Sequence, residues 1–127
     1  MVFFEAPAFT RYISEYLDDD RYALLQNELA SNPEAGDVIQ GTGGFRKFRW
    51  VDRRRGKGRR GGLRIIYYYL LSDHQIWLVT LYDKDEAADL SAKQKKVLKA
   101  AIETELEARQ AKQLRRRTVS RSKQKNG

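Results

Sequence analysis

The chain has 127 residues, 41% of them apolar and 33% charged, with a net charge of +8. That length accommodates one modest hydrophobic core rather than two, and the aromatic and charged content fits a globular protein with a heavily solvated surface. The absence of cysteine excludes disulfides and thiolate metal sites, and no apolar run approaches the roughly 18 to 20 residues that a membrane helix needs.

The chain opens MVFFEAPAF, without a basic n-region or a long apolar stretch, so no signal peptide and a cytoplasmic location are expected. Val2 to Glu5 reads as a short strand ended by Pro7. Phe9, Tyr12, Ile13, Tyr16 and Leu17 recur at i, i+3, i+4, i+7 and i+8, which is one helix face. Asp18-Asp19-Asp20 interrupts that pattern and offers an N-cap to a second helix with Tyr22, Leu25 and Leu29 inward. Pro33 stops the second helix, because Asn32 before it is pushed out of the α region.

After a short extended piece at 37–40, Gly41-Thr42-Gly43-Gly44 forms a turn. A phosphate cradle would need a helix N-terminus next, and a β-like segment follows instead. In the strand Phe45–Trp50, alternation sets Lys47 and Arg49 on one face and Phe48 and Trp50 on the other. In Gly62–Leu71, Arg64 shares a face with Ile66 and Tyr68. Ser72 to Gln75 is a hairpin turn, and Ile76–Tyr82 is the next strand. Ser91 and Gln94 then form a capping box for a final helix with Val97, Leu98, Ala101, Ile102 and Leu106 along its stripe. The expected architecture is α+β: an αα-hairpin and a C-terminal helix on one face of a small antiparallel sheet, with the other face open. Residues 1–111 form the domain, and the basic tail 112–127 is expected to be frayed helix and then disordered.

Charge is segregated rather than mixed. Residues 1–45 carry −6, residues 46–64 carry +9, residues 65–111 carry −2 and residues 112–127 carry +7. A surface charged for solubility alone interleaves the signs, so this segregation points to an anionic partner, of which nucleic acid is the commonest. The stretch RKFRWVDRRRGKGRRGGLR joins two strands through a glycine-laced cationic loop. Lys47, Arg49 and Arg64 would emerge on one sheet face, where arginine grips phosphate bidentately and lysine acts as a point charge. Tyr68 and Tyr82 could stack on bases of a single strand.

The residues do not supply a familiar nuclease set. The single histidine, His74, falls in a turn, and Asp83, Asp85, Glu86 and Asp89 lack the spacing of a metal site, so neither a metal nor a cofactor is expected. RNA, however, carries its own nucleophile in the 2′-hydroxyl. A protein that aligns it and stabilises the extra charge at phosphorus can cleave without those sets. A lysine crowded by cations, Lys47 or Lys84, is the candidate for proton transfer.

GTGGFRKFRW, then RGKGRRGGLRIIYYY, then IWLVTLYDKDEAADLS resemble the RelE/ParE superfamily of type II toxins, nearest its HigB branch, over roughly residues 2–110. The resemblance implies a RelE-like fold and a ribosome-dependent endoribonuclease that cuts mRNA in the A site of the 30S subunit by metal-independent 2′-hydroxyl attack. It also implies a helix-turn-helix, HigA-like antitoxin. By the same resemblance Lys47, Arg49, Arg64 and Lys84 are catalytic, Arg64 being the contact to the scissile phosphate. Arg46 and the loop bases Arg53, Arg54, Arg55, Lys57, Arg59 and Arg60 would hold ribosomal RNA. Asp83 stands where the family usually has glycine, and Ser91 falls near the position of a C-terminal tyrosine. Two other functions fit parts of the pattern: a ParE-like inhibitor of DNA gyrase, and a non-catalytic RNA- or ribosome-binding module.

Overall fold

The computed structural model describes residues 1–51, 62–83 and 90–125, with side chains in the last helix as far as Arg117. The fold is α+β. In chain order it comprises β1 (Val2–Glu5), α1 (Pro7–Tyr16), α2 (Asp19–Ser31), β2 (Asp37–Val38), β3 (Arg46–Trp50), β4 (Leu63–Leu70), a 3-10 turn (Leu71–Asp73), β5 (Gln75–Asp83) and α3 (Ala92–Lys125). None of the described helices is long and apolar enough to cross a membrane. The chain divides into two compact units, Met1–Gln40 with Gly44–Leu90, and Gly41–Gly43 with Ser91–Gly127.

In the first unit five strands form one sheet in the order β1-β5-β4-β3-β2. The pairs β2·β3, β3·β4 and β4·β5 are antiparallel, whereas β1 runs parallel to β5. The sheet is therefore mixed, not purely antiparallel as expected. Alternation identifies a strand but not its partner, and Val2 pairs with Gln75, far along the chain.

The αα-hairpin forms as its sequence requires. Pro7 stands in the first turn of α1, where a missing N–H costs nothing. The Asp18 carboxylate accepts the Arg21 amide at 2.8 Å and caps α2. Phe9, Ile13, Leu17, Leu25 and Leu29 bury against Phe48, Trp50, Leu63, Ile65 and Tyr67. Tyr12, assigned to that stripe, is instead 38% exposed at its edge. The Glu5 carboxylate accepts from Thr10 Oγ1 at 2.8 Å and from the Tyr22 hydroxyl at 2.7 Å, which ties β1 to both helices.

One buried phenol organises the chain between α2 and β3. The Tyr67 hydroxyl donates to the Pro33 carbonyl at 2.7 Å and accepts the Gly36 amide at 2.9 Å. Gly36 is glycine for a steric reason: a Cβ there would stand 2.8 Å from Tyr67 Cε1 and 3.0 Å from the Lys47 carbonyl. Beside it the Arg46 guanidinium donates to the carbonyl oxygens of Gly36 at 2.8 Å and Glu34 at 3.3 Å.

The other sheet face is not open along its length. Ile66 and Leu70 are buried although they alternate away from the αα-hairpin, and Phe45 is buried with its ring edge-on to Tyr68 at 5.2 Å. Two consecutive isoleucines in β4 were the sequence sign of a strand covered on both sides.

In the second unit, Ser91 and Gln94 cap α3 reciprocally: the Ser91 amide donates to Gln94 Oε1 at 2.8 Å, and the Gln94 amide to Ser91 Oγ at 3.1 Å. Gly43, at φ +77°, sits so close to the helix that an added Cβ would be 3.0 Å from Ile102 Cγ2. The helix then runs on to Lys125 through the tail expected to fray. Residues 111–117 are strong helix formers, and cations near a helix C-terminus suit its dipole.

Tyr67→Phe removes both partners of the 33–36 segment and should lower unfolding free energy by about 1–3 kcal/mol, the cost of leaving buried polar groups unmet. Denaturant titration measures it. Burial first, and for Tyr22 its hydrogen bond to Glu5 second, push the Tyr22 and Tyr67 phenols above their ordinary value. A raised folded pKa contributes stability below the unfolded value of about 10 that is lost as pH rises beyond it. Melting at graded alkaline pH should therefore show a loss of stability beginning near pH 10, and the loss should be smaller in Tyr22→Phe.

Candidate nucleic-acid interface

The register of β3 and β4 determines which side chains meet. Phe48 opposes Ile65 and Trp50 opposes Leu63 on the face packed against α1 and α2. Their alternates, Lys47 opposite Ile66 and Arg49 opposite Arg64, consequently lie on the other face. The β4·β5 register adds Tyr82 opposite Arg64 and Thr80 opposite Ile66. Arg49, Arg64 and Tyr82 thus form a row across three strands, with Lys47, Ile66 and Thr80 forming the next.

Neighbouring strands stand about 5 Å apart, so the row spans roughly 10 Å, the scale of one phosphodiester with its flanking sugars. Arg49 is exposed, whereas Lys47, Arg64 and Tyr82 are half-buried. Like charges directly across a strand pair disfavour each other, and an anion between Arg49 and Arg64 reverses that sign. Partly buried cations act through less water than exposed ones, so each charge counts for more there. From Ile66 in the second row onward the same face turns apolar, through Tyr68 and Leu70.

The row is held from behind. Trp50 is buried, and its indole Nε1 donates to Glu28 Oε2 at 3.0 Å, pinning the end of β3 to α2. Leu63 and Ile65 support β4 on either side of Arg64. On the flank of Lys47, Asp37 is its partner in the β2·β3 register.

A bulge aims Tyr82. Between Ile66↔Thr80 and Tyr67↔Leu78 the pairing skips Val79. Ile76 and Leu78 are buried, then Leu81, so the buried positions of β5 change parity across the extra residue. Strict alternation from Ile76 would put Tyr82 among the buried side chains. The bulge instead places it beside Arg64.

The expected site residues separate into groups. Lys47, Arg49, Arg64 and Tyr82 come together on one face. Arg46 lies on the opposite face of β3, with its guanidinium on the Gly36 and Glu34 carbonyls. The parity of the strand already implied that position, since Arg46 alternates with Lys47. Tyr68 shares the face of Arg64 but stands beyond Ile66, against Phe45. Arg53, Arg54, Arg55, Lys57, Arg59, Arg60 and Lys84 fall outside the described residues. Sequence reasoning missed Thr80, which only the bulge brings to this face, and Glu28, whose tie to Trp50 has no local signal.

Tripolyphosphate offers charges at the spacing of a nucleic-acid backbone and should stabilise the folded chain. At a hundredfold excess over its Kd the gain is about 2.7 kcal/mol. Thermal melting against sodium chloride of equal ionic strength should show an upward shift for the native chain. The combined Arg49→Gln, Arg64→Gln variant should lose most of that shift.

No family model matches the chain. A chain from the crystal structure of the intact E. coli RelBE toxin–antitoxin complex superposes with a TM-score of 0.43 at 13% identity. The match covers 63% of this chain and 92% of that one. A likeness so distant carries no argument about activity.

Proposed function

We propose that the chain is the toxin of a type II toxin–antitoxin system, a cytoplasmic endoribonuclease that cuts mRNA in the ribosomal A site. The observation that carries the reading is the row Arg49–Arg64–Tyr82, with Lys47 alongside, on one face of a sheet backed by a packed core. The sequence resemblance to HigB-like members of the RelE/ParE superfamily supports it independently.

The chemistry fits those residue types. The substrate 2′-oxygen attacks phosphorus as the bond to the 5′-oxygen breaks, leaving a 2′,3′-cyclic phosphate and a 5′-hydroxyl. The protein must hold the oxygens in line and stabilise the added negative charge of the pentavalent transition state. Arg64, at the centre of the row and half-buried, stabilises that charge. Arg49 and Lys47 hold the flanking phosphates, and Tyr82 stands beside Arg64 at the end of the row. Lys84 directly follows β5 in the sequence and is assigned to proton transfer on the sequence resemblance alone. The bases of 53–60 lie in the connection between the strands that carry Arg49 and Arg64, and they dock the protein on ribosomal RNA. In this reading a helix-turn-helix antitoxin silences the protein.

Arg64→Ala should abolish growth arrest while the protein melts as before, and should reduce cleavage by about 10²–10³-fold, the usual effect of removing one transition-state charge stabiliser. The measurement is 5′-end mapping of cellular mRNA minutes after induction. Codon-registered cuts dependent on Arg64 support the reading. Breaks in chromosomal DNA would replace it with gyrase poisoning, and arrest without cuts would reduce it to RNA or ribosome binding.

A further inference from the structure

Residues 110–117 of α3 differ from the part of the helix before them. Up to Arg109 the helix alternates exposed positions with partly or fully buried ones at Lys95, Leu98, Ile102, Glu105 and Arg109. That spacing of three and four residues is the signature of a helix lying on something. From Gln110 to Arg117 every residue is exposed, Leu114 at 57%. At least two turns, residues 110–117, therefore continue past Arg109 with their side chains exposed, and at 1.5 Å per residue this extension measures roughly 12 Å.

Charge changes at the same place. Between Lys93 and Arg109 both signs occur, and Glu105 accepts from Arg109 at 3.0 Å. From residue 108 to the end of the chain there are eight bases and no acid. Lys112, Arg115 and Arg116 stand at i, i+3 and i+4, on one face of the helix, with Arg117 adjacent. Like charges at that spacing repel by about 0.2–0.5 kcal/mol per pair. The extension has no buried apolar stripe to offset this among its described side chains. Strong helix formers and a favourable dipole permit the conformation, and a polyanion along the face would turn its repulsion into attraction.

We propose that the extension is a separate binding element that lays Lys112, Arg115, Arg116 and Arg117 along the phosphate backbone of structured RNA. The charge and exposure argue for a polyanion; the choice of RNA over DNA rests on the reading of the Arg49–Arg64–Tyr82 face given above. The element reads no sequence. It adds contacts outside the sheet face and so raises affinity for RNA on which the sheet face acts, without altering the chemistry there.

The test compares the full chain with a variant carrying Lys112→Gln, Arg115→Gln, Arg116→Gln and Arg117→Gln. Glutamine keeps helix propensity and removes the charge, and equal circular dichroism and melting establish that both are folded. Binding to a 30-base-pair RNA hairpin is measured from 50 to 200 mM salt, with a DNA hairpin of equal length beside it. Each phosphate contact contributes about 0.9 to the salt slope, so the variant's slope should be shallower by about 3 to 4. Over that salt range the native chain should lose about 100-fold more affinity than the variant. An unchanged slope overturns the proposal. A change seen equally or more strongly with DNA overturns the assignment to RNA. Arg64→Ala, measured in parallel, should lower the slope by no more than about 1, the share of a single phosphate contact. If mRNA cutting fails to depend on Arg64 while the slope still depends on the four tail residues, the reading of the sheet face fails and the binding element stands.

Discussion

Ile65, Ile66 and Tyr67 of β4 are consecutive and wholly buried. Neighbours in a strand point to opposite faces, so β4 must be covered on both sides at this level. It must also be bonded on both edges, and it is, by β3 and β5. A central strand this constrained cannot slip, because a one-residue shift would carry Tyr67 and its hydroxyl contacts to the wrong face. Everything of functional interest depends on that fixity. Arg64 stands one residue before the buried triplet, at the boundary where a charged guanidinium can still reach water.

The site is consequently assembled from rigid parts. Trp50 is held by Glu28, β3 lies beside Gly36 and Tyr67, and the αα-hairpin backs both strands. The proposed transition-state stabilisation requires cations that need not be gathered at the moment of reaction, and placement on paired strands is compatible with that requirement. Arg46 contributes to this rigidity from the far face, through carbonyls rather than phosphates. Two adjacent basic residues of one strand thus have different surroundings because they differ in parity.

Much of this was legible from local patterns. The helix stripes of Phe9–Leu17 and Leu25–Leu29, the Ser91 capping box and the alternation of Lys47 and Arg49 all reflect interactions between near neighbours in the sequence. What could not be read was non-local. The parallel pairing of β1 with β5 depends on residues more than seventy positions apart, and Tyr67 reaches back more than thirty to Pro33. The coverage of Ile66 has a sequence signal in its apolar character, but alternation alone assigns it to an open face. The helix beyond Arg109 leaves no apolar stripe in the sequence, because propensity and end charge favour that conformation without one.

The bulge at Val79 divides β5 into two strands in all but name. Upstream of it, parity is governed by Ile76 and Leu78 against the core; downstream, by Leu81. Substitution within either half leaves the phase of the other alone, so core and interface residues of this strand can vary independently over evolutionary time. Length has no such freedom. An insertion or deletion between Leu78 and Leu81 would exchange the inward leucine for the tyrosine beside Arg64, which makes this short span intolerant of changes in length while tolerant of changes in side chain.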